Sequence, residues 1–140
     1  MALVAVLVSP VLGCSGGSSD ADVADALDIE LDAFYGHLAE IDSSLDVCDE
    51  GGDEQQCHAA SATYIEILID HRQRVTAVNT DRASRETFLD GLEVLIAGFE
   101  QRNRGLETQS DADVEGGNEA IAAGTEALER ARQEWESENG

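Results

Sequence analysis

The chain predicts an all-α fold: an antiparallel up-and-down four-helix bundle set behind an N-terminal signal segment. Two observations carry this. Apolar residues recur at spacings of three and four along four separate stretches, and short breaks with capping residues divide those stretches.

Ser19, with Asp22 three positions on, has the pattern of an N-cap. It is followed by Ala24, Leu27, Leu31, Phe34, Leu38, Ile41 and Leu45, a sustained heptad seam. The first helix is expected from about 20 to 47, roughly 40 Å at the α-helical rise. After Gly51 and Gly52, Asp53 can cap a second helix. Its seam is Tyr64, Leu68, Val75 and Val78, broadened by Ile65, Ile67 and Ile69, and it should end near Asn79. Thr80 and Asp81 are expected to open a third helix, with Phe88, Leu92, Leu95, Phe99 and Leu106 inside. Ser110 and Asp113 repeat the cap pattern before Val114, Ile121, Leu128 and Trp135. The pentapeptide Ser-Asp-Ala-Asp-Val stands at both 19–23 and 110–114. Its flanks diverge, so independent use of the same capping chemistry accounts for it.

The third and fourth stretches carry small residues at heptad spacing: Gly91, Gly98 and Gly105, then Gly117, Gly124 and Ala131. Glycine inside a helix costs about 1 kcal/mol relative to alanine. A hairpin about residues 107 and 108 would set Gly91 against Gly124, Gly98 against Gly117 and Ser84 against Ala131, letting the two helices approach closely. Alternatively, Gly105 ends the third helix and Gly116-Gly117 delays the fourth until Asn118.

The first fourteen residues read as an export signal. Leu3 to Val8 form an apolar core too short to span a bilayer, which needs about 20 apolar residues. The run Val11-Leu12-Gly13-Cys14 resembles the lipobox of bacterial and haloarchaeal lipoproteins. That resemblance implies removal of residues 1–13 and diacylation of Cys14. Residues 14–19, including Ser15-Gly16-Gly17-Ser18, have the composition of a flexible tether, leaving 20–140 as the bundle domain. The expected location is the cell envelope outside the cytoplasm, in the periplasm or at the cell surface, with the chain held to a membrane by its lipid.

The remaining cysteines fit such a compartment. Cys48 and Cys57 form an even pair across an acidic loop, and a disulfide is expected. The spacing suits neither zinc nor covalent haem. The chain carries 30 acidic residues against eight arginines and no lysine, a net charge of −22. That balance excludes nucleic acid, whose phosphates require a basic face, and docking on anionic lipid headgroups. It suits a solvated surface in a salt-rich setting.

Catalytic signals are sparse. No glycine-framed serine marks a nucleophile elbow, and there is no phosphate-cradling glycine loop and no Glu-x-x-His pair. His58, beside Cys57, is expected at the surface. His71 falls on the seam of the second helix, where the disulfide hairpin sets it opposite Phe34 and within a turn of His37. Asp90 and Glu93 come to the same level. A divalent metal site of His37, His71 and Asp90 or Glu93 is conceivable. A core histidine bonded to Glu40 or Asp90 is the simpler account of His71. The acids around the disulfide, from Asp46 to Glu54, lack calcium-loop spacing and read as a hydrated tip.

The functional expectation is a non-catalytic structural or interaction module with an unidentified envelope protein partner and no cofactor. The alternative is a metal or small-ligand binder centred on His71 and His37.

Overall fold

A computed structural model describes residues 20–49 and 52–139. Four helices run antiparallel: α1 (Asp20–Ser44), α2 (Glu54–Thr76), α3 (Ala83–Thr108) and α4 (Asp111–Asn139), with a 3-10 turn, Asp46–Cys48, after α1. The base of the bundle holds the start of α1, the α2–α3 connection and the end of α4. The opposite end holds the 3-10 turn, the disulfide loop and the α3–α4 turn. Residues 1–19, with the expected signal and tether and Cys14, lie outside the described residues, as do the side chains of Ala24 and Ile41.

The expected seams form the core. Leu27, Leu31, Phe34, Leu68, Val75, Phe88 and Leu92 are wholly buried. Phe34 sits at the centre. Its ring meets Tyr35, His71 and Phe88 edge-on at centroid distances of 5.2, 5.2 and 4.9 Å, the arrangement the ring quadrupoles favour. The Phe34–His71 contact has the hairpin register expected from the disulfide. Neighbouring helices meet in sequence around the bundle. Glu30 pairs with Arg74 (α1–α2), Tyr64 packs on Phe99 (α2–α3), and Tyr35 Oη donates 2.6 Å to the Leu128 carbonyl (α1–α4).

Helix limits follow from local hydrogen bonding. α1 stops at Ser44, short of the expected 47, where the chain tightens into the 3-10 turn before Cys48. Asp53 caps α2 as expected, its Oδ1 accepting from Gln56 N at 3.0 Å. α2 ends at Thr76, short of Asn79. Arg85 reaches back to donate to the carbonyls of Thr76 and Val78 at 2.9 and 2.6 Å, satisfying acceptors that a longer helix would have bonded.

α3 begins at Ala83 and not at Thr80–Asp81. Its N-cap position, Arg82, makes no side-chain cap bond. The cap comes from another helix: Glu138 of α4 accepts from Ser84 N at 3.2 Å and from the Ser84 hydroxyl. A carboxylate suits the positive end of a helix dipole. Arg82 then bridges Glu138 and Asp28 at 3.0 and 3.1 Å, while Trp135 Nε1 donates to Asp28 at 2.7 Å. These bonds clamp the base. Burial by itself would raise the Asp28 carboxyl. The bonds from Trp135, Asn139 and Arg82, with the Arg82 charge, outweigh it and hold the group below the ordinary carboxylate range.

The α3–α4 turn resolves the glycine alternatives. Gln109 takes the left-handed conformation, φ 58°, that ends α3, and Ser110 Oγ accepts from Asp113 N at 3.3 Å to start α4. Gly105 therefore lies inside α3, and Gly116-Gly117 inside α4. Close approach holds. A Cβ on Gly98 would lie 2.8 Å from Ile121 N, and one on Gly124 2.8 Å from Leu95 N. Of the expected register, only the Gly98–Gly117 contact is found, an added Cβ on Gly98 lying 3.0 Å from the Gly117 carbonyl oxygen. Gly91 faces Ala127 and Leu128 instead of Gly124, and Gly117 also faces Arg102, so the glycines mostly receive larger residues from the other helix. Ser84 bonds Glu138.

Candidate functional site

The early end of α1 opens a cavity of about 450 Å³ near the disulfide end. Its lining includes Asp42 of α1, Asp46 and Asp49 at the 3-10 turn, Tyr64 of α2, Phe99 and Arg102 of α3, and Asn118 and Thr125 of α4. The disulfide builds one wall. Cys48 and Cys57 are bonded, with Cα atoms 4.7 Å apart, which ties the 3-10 turn to the first turn of α2.

Arg102 is the cation of this cavity. Its guanidinium lies 5.0 Å from the Phe99 ring centroid. Nη2 donates to Ser61 Oγ at 2.8 Å and contacts Cys48 Sγ at 3.6 Å. Nη1 holds a long bond, 3.4 Å, to Asn118 Oδ1, and Nε is buried without a hydrogen-bond partner. No carboxylate among the described residues lies within ion-pair distance of it, although the chain has 30 acidic side chains. Arg74, Arg82 and Arg132 all have such a partner.

Burial has shifted three groups here. It lowers the Arg102 guanidinium from its usual value, which still leaves a cation at neutral pH. It raises the Asp42 carboxyl, with a further push from the Asp46 charge. It also raises the Tyr64 phenol, with a contribution from Asp42. Perturbed groups that converge in a concave space are the physical mark of a candidate site.

A second cavity, about 520 Å³, lies nearer the base between α1 and α4, beside Tyr35, Gly36, Arg132 and Trp135. Trp135 stacks on Tyr35 at 5.9 Å, and Arg132 sits 5.7 Å from the Tyr35 ring centroid. Those aromatic faces pack against one another.

The histidines are placed differently from the expected metal site. His71 is buried against Phe34, and its Nδ1 lies 3.3 Å from Nη2 of Arg74, so an arginine stands where Glu40 or Asp90 was expected. His37, Asp90 and Glu93 are exposed. The contacts Tyr64–Phe99 and Ser61–Arg102 extrapolate to put His71 level with Leu92. Asp90 and Glu93 are thus at the expected level but turned outward on either side of it. Among the described residues, no group of three or more His, Cys, Asp or Glu side chains could hold a metal ion. His58, expected at the surface, is partly exposed and meets Glu107 at 2.8 Å.

Sequence reasoning passed over Arg102. The signal was an interruption: counting inward positions from Leu95 and Phe99 calls for an apolar residue at 102, and an arginine stands there.

No family model matches the chain, and no curated protein or solved structure matches it either.

Proposed function

We propose that the mature chain is a non-catalytic module of the cell envelope, exported and held to a membrane by a lipid on Cys14. One observation carries the reading. Cys14 lies six positions before Asp20, and α1 starts at the base of the bundle. Six residues span at most about 20 Å when fully extended. A lipid on Cys14 would therefore hold the base near the bilayer and point the disulfide end away from it. The Arg82–Glu138–Asp28 clamp closes the tethered end, and the oxidised Cys48–Cys57 pair suits a compartment outside the cytoplasm.

Among the described residues, no helix is long and apolar enough to cross a membrane. Their large exposed apolar side chains, Ile29 and Val94, stand on different helices. An envelope protein partner would be sought by pull-down from envelope extract.

A second reading, small-ligand binding, is favoured by the convergence of Asp42, Tyr64 and Arg102 on one cavity. It moves the ligand site from His71 to Arg102.

Fractionation tests the anchor. In a host that processes lipoproteins, the wild type should pellet with membranes and Cys14→Ser should appear in the soluble fraction. A Cys14→Ser protein that stays with the membrane contradicts the reading.

A further inference from the structure

The lining of the Arg102 cavity carries both signs of charge. The Arg102 guanidinium lies 5.0 Å from the Phe99 ring centroid, with Nη1 engaged only by a long bond and Nε buried without a partner. Asp42 and Asp46 also line the cavity. A simple anion would face these carboxylates, and a simple cation would face Arg102. Either ligand matches only one of the two kinds of charge.

We propose that this cavity binds a small dipolar ligand carrying one carboxylate and one ammonium group, of the amino-acid or short-peptide class. Arg102 takes the carboxylate through its planar donors, and Asp42 with Asp46 takes the ammonium. This rests on the ligand-binding reading above and gives it a ligand class. The donor geometry is suitable, because a guanidinium presents paired N–H groups that match a carboxylate. The volume, about 450 Å³, is in the range of small-molecule sites and holds an amino acid or dipeptide. Asn118 and Thr125 of α4 supply neutral hydrogen-bonding groups to the lining. An ammonium group near Asp42 would also offset the Asp46 charge that, after burial, raises the Asp42 carboxyl.

The test uses the full chain in detergent with its disulfide intact. The twenty free L-amino acids and L-alanyl-L-alanine are screened by thermal shift, and hits are measured by calorimetry. Acetate and methylammonium serve as the two half-ligands. The expected result is saturable binding of at least one dipolar compound, weakened by about tenfold or more in both Arg102→Gln and Asp46→Asn, with neither half-ligand binding comparably. Asp46 is exposed, so Asp46→Asn keeps the test decisive if Arg102→Gln does not fold. Three results overturn the proposal: no dipolar compound binds, binding is unchanged in Asp46→Asn, or acetate binds as well as the dipolar compounds. The last of these would leave an anion site at Arg102, and with it the ligand-binding reading.

Discussion

A buried histidine beside an arginine is held neutral, and His71 is in that position. Burial lowers its affinity for a proton, and the Arg74 charge lowers it further. Asp70 and Glu30 oppose this from α2 and α1, and His37 adds a small lowering. The unfolded chain binds the proton with the ordinary value of 6.5, so it takes up protons before the folded chain does. Stability from neutral His71 is therefore whole above pH 6.5 and is lost as pH falls from there through the folded value. The urea midpoint of the wild type should drop between pH 7.5 and 5.5 by more than that of His71→Gln. Equal drops would mean that another group carries the effect. Asp28 acts in a lower window: its contribution is present above pH 3.8 and is lost as pH falls through its depressed value.

At the scale of the element, the same substitution should have opposite signs in two helices. Gly36 lies in α1, where an added Cβ meets nothing within 4 Å, so Gly36→Ala should stabilise by about 1 kcal/mol through helix propensity. Gly98 lies in α3, where that Cβ would meet Ile121 N of α4 at 2.8 Å. Backbone cannot swing aside as a side chain can. Gly98→Ala should therefore destabilise by about 1 to 3 kcal/mol, the usual range for overpacking. Denaturant unfolding of both variants measures the contrast, and a stabilised Gly98→Ala would mean the helices are not in close contact.

The glycine spacing was legible in the sequence as a sign of close approach, because heptad-spaced small residues need a reason inside a helix. Its register was not. Small residues fit against several partners at nearly equal cost, and what selects among them is the Gln109 and Ser110 turn with the Glu138 cap, which joins residues 54 positions apart. The seams of all four helices were legible for the opposite reason: Leu, Phe and Val at a fixed period admit one inward face. The cavity was beyond reach of periodicity, since its walls come from all four helices and the 3-10 turn and depend on α1 ending at Ser44.

For the whole molecule, the disulfide is the main local constraint at the far end, linking the 3-10 turn to α2. Reducing it frees a short loop and should lower stability by about 2 to 3 kcal/mol on the chain-entropy account, read as a shift in the urea midpoint with and without reductant. The effect should be larger than for a remote surface loop, because Cys48 also lines the cavity and contacts Arg102. A clamped base, an oxidised far end and a polar cavity beneath it give the bundle two unlike ends, of which the proposed lipid would tether the base.

That polarity depends on Cys14 being the first residue of the mature chain and carrying lipid. The direct measurement is mass spectrometry of the N-terminal peptide from membrane-purified protein, cut before Asp20 with an aspartate-directed protease. The account predicts a peptide covering residues 14–19 that begins at Cys14 and carries the mass of a diacylglyceryl group. A peptide that retains residues upstream of Cys14, or a Cys14 without lipid, would contradict it.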